Sequence, residues 1–196
     1  MLALLIAIGV FTALAVFVVR WAAGDLAATG TLSAKSLAAS WLLYVLHADT
    51  VVSAAWGGVL IVDAPRVAAL VAGGVLIAVG CVIFVAGTLT LVRHGDFEGV
   101  RTRRLVTVGP YRFSRHPQNL GWAIVLLGVA VAGRSLGALA LVGLFAIFID
   151  RYVRLEEYQL KQDFGAAYDD YRERTPAVMP SLGTRTARTA QRASTR

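Results

Sequence analysis

Residues 117–153 read PQNLGWAIVLLGVAVAGRSLGALALVGLFAIFIDRYV, and the division of that run decides the fold. The run is too long for one crossing, because about 20 apolar residues already span the hydrocarbon core. Gly133-Arg134-Ser135 interrupts it with a charge and a flexible backbone, which are costly in mid-bilayer. The run therefore divides into a helical hairpin, with one arm from about Pro117 to Ala132 and the other from Leu136 to about residue 155. Sixteen residues at 1.5 Å each cover only ~24 Å, so the first arm is short for a span and begins within the headgroup zone.

Working outward, three more apolar runs (2–19, 37–62 and 67–92) bring the expected spans to five. The composition agrees. Of 196 residues, 57% are apolar and 16% charged, and the mean hydropathy is +0.66. A soluble domain has about a quarter of its residues charged. Five spans place 17 of the 19 lysines and arginines on one side, leaving Arg66 and Arg134 on the other. Positive charge collects on the cytoplasmic side, so the N-terminus is expected outside and the C-terminus inside. A four-span chain without the hairpin would split the basic residues between both faces. The first run lacks a basic segment before it, and Arg20 follows it, which argues against a cleaved signal peptide. Only Lys35 and Lys161 among the basic residues are lysine, which points to a GC-rich bacterial genome and hence to an inner membrane.

The net charge of +7 suits anionic lipid headgroups. No aromatic-interleaved basic patch accompanies the arginines, so nucleic acid is not an expected partner. Cys81 is the one cysteine, which excludes a disulfide framework, and no second His or Cys stands at ligand spacing from His116, so no metal site is expected. Residues 1–182 read as one domain, followed by a basic tail at 183–196 without apolar periodicity that is expected to be disordered. No internal repeat is evident.

Two polar clusters flank the hairpin. The first, Gly109-Pro110-Tyr111-Arg112-Phe113-Ser114-Arg115-His116-Pro117-Gln118-Asn119, is basic and turn-rich. Gly109-Pro110 is a turn signal, and Pro117 suits the first position of a helix, which puts His116 at the cap. The free amides of such a helix start attract anions. The second cluster holds Glu156-Glu157, Phe164-Gly165, Tyr168 and Tyr171, with Pro176 ending the helix. Asp150, Arg154 and Glu157 form a charged stripe, and Phe164, Tyr168 and Tyr171 fall on one helical face. His47 and Asp49 lie inside the second run, where either a substrate-cavity role or structural hydrogen bonding would explain them. The catalytic region is expected to comprise 93–121 together with 150–182.

From about Leu105 to Leu182 the chain resembles the isoprenylcysteine carboxyl methyltransferase and phospholipid methyltransferase superfamily of integral membrane enzymes. The resemblance rests on Gly-Pro-Tyr-Arg-x-x-Arg-His-Pro at 109–117, Gly121, Glu156-Glu157, Phe164-Gly165-x-x-Tyr168-x-x-Tyr171, and Arg174-x-Pro176. It implies S-adenosylmethionine as methyl donor, bound at the cytoplasmic face by the Arg-His-Pro segment and a C-terminal helical region. Arg115, His116 and the backbone near Asn119 would contact the cofactor, as would Tyr111, Pro117 and Gly121. Glu156 and Glu157 would hold its polar groups or fix the arginines, and Tyr168 and Tyr171 would wall the pocket. Arg174 and Arg112, with Glu157, would act on the acceptor and the reacting groups. Asn119 departs from the family, which commonly has tyrosine there, so the acceptor is the less constrained partner.

The implied reaction is in-line methyl transfer to an O, N or S nucleophile on a lipidic or small hydrophobic acceptor that enters from the bilayer, past His47 and Asp49. Two other readings share the same features. A nicotinamide-dependent sterol-type reductase has a similar hairpin and Arg-His-Pro region but more spans, and a membrane scaffold would have the pocket without the chemistry.

Overall fold

A computed structural model of the chain describes residues 2–95, 97–98, 101–102 and 104–178. The tail at 183–196 and Arg103 lie outside the described residues. The order is α1 (Leu2–Thr29), α2 (Ala34–Trp56), α3 (Arg66–His94), a two-residue ladder β1 (Phe97–Glu98) and β2 (Arg101–Thr102), a 3-10 turn (Gly109–Arg112), α4 (Pro117–Ala132), α5 (Leu136–Phe164) and α6 (Ala166–Arg174). Four helices, α1, α2, α3 and α5, are long and apolar enough to cross a membrane, and α4 is a shorter apolar helix. Their outer faces carry exposed Leu5, Val10, Phe17, Val71, Val75 and Val82. Apolar surface on that scale marks a lipid-facing protein. The chain is an all-helical, multi-pass membrane protein.

The hairpin forms as expected, with Pro117 opening α4 and Ser135 capping α5 by accepting a hydrogen bond from the Ala138 amide. At the turn Arg134 adopts φ 54°, and its side chain donates to the Ala64 carbonyl at 2.8 Å. The loop after α2 pairs with this turn through Val62 N–H to Arg134 O and Leu136 N–H to Leu60 O. Gly133-x-x-x-Gly137 sits at the turn and is also a close-packing motif here. A Cβ on Gly133 would lie 2.6 Å from the Ala55 Cβ, and one on Gly137 2.6 Å from Val59.

Three helices, α1, α2 and α5, differ from expectation at their ends. The first span does not stop at Val19. It runs to Thr29 with Arg20 inside it, because Ala22 and Leu26 continue the buried stripe. The second begins at Ala34, capped by Ser33, and stops at Trp56, where Gly57-Gly58 and a positive φ at Leu60 turn the chain into an extended segment. The last continues past residue 155 to Phe164, ended by Gly165 at φ 53°. That bend puts Phe164 on a different helix from Tyr168 and Tyr171, so the three do not share a face.

The bundle is held in two ways. Phe11, Tyr44, His47, Phe145, Phe148 and Tyr152 form an aromatic cluster where α1, α2 and α5 meet. By contrast, α3 buries only Gly73, Gly80 and Gly87. These sit seven residues apart and face α4, Gly73 against Gly128, Gly80 against Gly121, and Gly87 against Pro117 and Gln118. Small residues let membrane helices approach backbone to backbone. These glycines form a seam along α3 that the sequence reading did not single out.

His47 is structural. It is buried, its Nε2 lies 3.0 Å from the Leu141 carbonyl, and its ring stacks on Phe145. Asp49 is exposed on the far side of the helix. Neither lines the cavity described next.

Candidate functional site

The two polar clusters meet at one end of the bundle. Pro176 and Ala177 lie across the loop before α4, where the Arg115 amide donates to Pro176 O at 2.9 Å and the His116 amide to Ala177 O at 3.0 Å. The Tyr171 hydroxyl donates to the Tyr111 carbonyl at 2.7 Å, which docks α6 on the 3-10 turn. Lys161 and Asp169, 3.1 Å apart, brace the bend between α5 and α6.

Inside this clasp the Arg115 side chain is 8% exposed. Its Nε and Nη2 both donate to Glu157 Oε1, at 2.9 and 2.5 Å. Its Nη1 donates to the carbonyls of Arg172 and Thr175. Glu157 therefore turns to Arg115, while Asp150 and Arg154 pair with each other at 3.1 Å on the exposed side of α5. The three do not share one stripe of contacts. His116 is buried between the carboxylates, with Nδ1 3.4 Å from Glu156 Oε2 and Nε2 3.4 Å from Glu157 Oε1. Burial works against a charged imidazole, but Glu156 and Glu157 outweigh it and hold the pKa above its ordinary value. Nε2 still lacks a hydrogen bond of good geometry. Burial first pushes the Tyr111 and Tyr168 phenols up and keeps them neutral, helped at Tyr111 by Tyr171 and then Glu156, and at Tyr168 by Glu157.

Beside the clasp lies a cavity of about 270 Å³. Asn119, Glu156 and Tyr152 supply polar surface, while Trp41, Phe84 and Leu91 make the wall apolar. Among the expected site residues, Tyr111, Arg115, His116, Asn119, Glu156 and Tyr171 line it. Pro117, Gly121, Glu157 and Tyr168 do not. Pro117 packs on Gly87, and Gly121 touches the backbone of Gly80 and Phe84. Glu157 holds Arg115, and Tyr168 is buried beside both. Arg112 and Arg174 are exposed and off the cavity, the first lying over the Phe113 ring and the second bonded to the Asp170 carbonyl.

Several wall residues escaped the sequence reading. Tyr44 of α2 donates to Asn119 Oδ1 at 3.0 Å, so the hydroxyl expected at position 119 arrives from another helix. Gln118 is held between Tyr111 and Thr88. A signal did exist, since Ser36, Ser40 and Tyr44 repeat every four residues along an apolar helix, and Tyr152, Glu156, Gln159 and Asp163 recur at helical spacing on α5.

The fold and site define a multi-pass helical membrane protein whose C-terminal segment closes a cavity of mixed polar and apolar lining against the loop before α4. Sequence comparison agrees: the phospholipid methyltransferase family matches residues 68–167, half of the chain, and the chain belongs to that family. Among curated relatives, it is 34% identical over 86 residues to the nickel-cobalt-cadmium resistance protein NccN of Alcaligenes xylosoxydans xylosoxydans, covering 43% of this chain and 40% of that one. It is 28% identical over 120 residues to the methanethiol S-methyltransferase of Crocosphaera subtropica, covering 55% and 46%. It is 35% identical over 78 residues to protein-S-isoprenylcysteine O-methyltransferase B of Arabidopsis thaliana, covering 39% and 40%. The matched segment thus spans less than half the length of each of these relatives. No solved structure matches the chain significantly. The family match begins at α3, so α1 and α2, with Tyr44, lie outside it.

Proposed function

We propose that the chain transfers a methyl group from S-adenosylmethionine to a lipidic or small hydrophobic acceptor at the cytoplasmic face of the inner membrane. In this reading α4 is a fifth, short span, the N-terminus lies outside, and the C-terminal region lies in the cytoplasm. The observation that carries it is the meeting of Arg115-His116 with Glu156-Glu157 beside a half-apolar cavity.

The residues present suit the cofactor. Buried His116 Nε2 lacks a good hydrogen-bond partner and can receive a carboxylate, while Glu156 faces the cavity and can accept from an ammonium or a ribose hydroxyl. Tyr152 and Tyr171 offer ring faces, which favour a cation. S-adenosylmethionine, when bound, supplies an electrophilic methyl group on a sulfonium centre. The protein contributes positioning and exclusion of water, the main sources of rate in a reaction that needs no covalent enzyme intermediate. Arg115 and Glu157 act as positioning residues that fix His116 and the strap over it. Asn119, with its oxygen held by Tyr44, presents amide N–H groups to the acceptor side and suits an acceptor carrying oxygen lone pairs. Arg112 and Arg174, exposed as they stand, can attract an anionic acceptor group to the interface.

The test is transfer of labelled methyl from S-adenosylmethionine into membrane lipids and added hydrophobic acceptors, with calorimetric titration of S-adenosylmethionine and NADPH alongside. We expect binding of the first and not the second, and label transfer reduced at least about tenfold in His116→Ala and Glu157→Gln, the loss typical of a positioned group. Undiminished transfer in both variants would overturn the site. NADPH binding in place of S-adenosylmethionine would favour the reductase, and binding of neither the scaffold.

A further inference from the structure

On the other side of α5 from the cavity, a groove of about 180 Å³ runs between α1 and α5. Its walls are apolar, built chiefly from Phe11, Ala15 and Val19 of α1 and Leu144, Ile147 and Phe148 of α5. Arg20 and Arg151 close one end, the end from which α5 continues toward Glu156 and Glu157. From Phe11 to Arg20 is nine helical rises, about 13.5 Å. That is close to half of the ~30 Å hydrocarbon core, the depth of one leaflet.

The charges at that end are unbalanced. Arg20 makes no ion pair among the described residues. Arg151 Nε is 3.7 Å from Asp150 Oδ2, but Asp150 is already bonded twice by Arg154 at 3.1 Å. Asp25, further along α1, accepts from the Ser33 hydroxyl and amide. Three guanidiniums thus share one available carboxylate. Long cationic side chains at a helix end reach for the headgroup level while their stems stay against apolar surface.

We propose that this groove is a binding site for an anionic phospholipid, with an acyl chain along the α1–α5 seam and the phosphate between Arg20 and Arg151. A zwitterionic lipid presents the same phosphate, but its ammonium adds a repulsive charge beside the same guanidiniums, so the site discriminates by headgroup. The bound lipid would fasten α1 to α5, the helix that carries Glu156. The inference stands apart from the methyl-transfer reading, since no cavity residue takes part.

Native mass spectrometry of the protein in mild detergent tests it, comparing retained phosphatidylglycerol and phosphatidylcholine of equal chain length. Wild type should retain phosphatidylglycerol about tenfold better, as two arginines near a headgroup allow. Arg20→Gln/Arg151→Gln, both exposed positions, should retain the two lipids equally, and Arg66→Gln at the opposite end should behave as wild type. Val16→Trp, which fills the groove and leaves both arginines in place, should also lose the preference. Equal retention by wild type would overturn the proposal, as would a preference that survives in either altered groove. Competition by glycerol phosphate as strong as that of the intact lipid would overturn it too, because the seam would then contribute nothing.

Discussion

Arg115 is the hinge of the site at the scale of single residues. One guanidinium holds a carboxylate on α5 and two carbonyls at the end of α6, a planar fork that an ammonium cannot reproduce. Arg115→Lys should therefore lower stability by about 2 kcal/mol, the worth of one or two charge-assisted hydrogen bonds, read by thermal unfolding in detergent; an unchanged midpoint would show that the clasp carries no load. His116 makes a pH prediction whose sign is fixed. Its folded-state pKa lies above the ordinary imidazole value, so the folded protein holds that proton more tightly than the unfolded chain. This stabilisation is fully present below about pH 6.5 and is lost as pH rises through the raised folded value. The wild-type midpoint should fall over that window, and His116→Gln should remove this component. Arg-His-Pro and Glu-Glu were legible because charged residues next to an apolar span need a reason to be there. The exposure of Arg112 and Arg174 was not legible, because a charge in a sequence carries no direction.

At the scale of elements, α3 and α4 are joined by the absence of side chains. A Cβ on Gly121 would lie 2.6 Å from the Phe84 amide and 2.7 Å from the Gly80 carbonyl, and neither backbone atom can swing aside. Gly121→Ala should destabilise by about 1–3 kcal/mol through overpacking and should disturb the start of α4, which carries Asn119. Gly74, one residue from the glycine seam, would meet nothing within 4 Å, so Gly74→Ala should be neutral or slightly stabilising. Thermal unfolding of the pair distinguishes packing from general helix propensity; equal effects would contradict the seam. The hairpin's ends could be read because Pro117 is a strong start signal and Gly133-Arg134-Ser135 breaks the apolar run. The end of α1 could not, since hydropathy falls at Arg20 while the helix continues on the buried Ala22 and Leu26. The glycine seam was missed for a related reason: the seven-residue spacing lies within α3, but what it faces shows only when α4 is laid beside it.

At the scale of the whole molecule, part of the cavity wall (Leu37, Ser40, Trp41 and Tyr44 of α2, Phe84 and Leu91 of α3) comes from helices that the sequence presents as generic apolar runs, and Tyr44 acquires a role only once α2 is packed on α4. The order of the ends is better determined. The loop after α2 pairs in backbone hydrogen bonds with the turn between α4 and α5, so Arg66 and Arg134 share one end of the bundle, while Arg112, Arg115 and the strap at 176–177 share the other. With basic residues concentrated at the second end, that end should face the cytoplasm. A cysteine placed at exposed Arg66, in a Cys81→Ser background, should react with an impermeant maleimide added outside intact cells. A cysteine at exposed Arg112 should react only after the membrane is opened. Labelling of both positions from the same side would remove α3 as a crossing helix. The Arg66 end and the Arg112 end of the bundle would then lie on one side of the membrane, against the opposed ends described above, and the cytoplasmic assignment of the 115–116 end would fail.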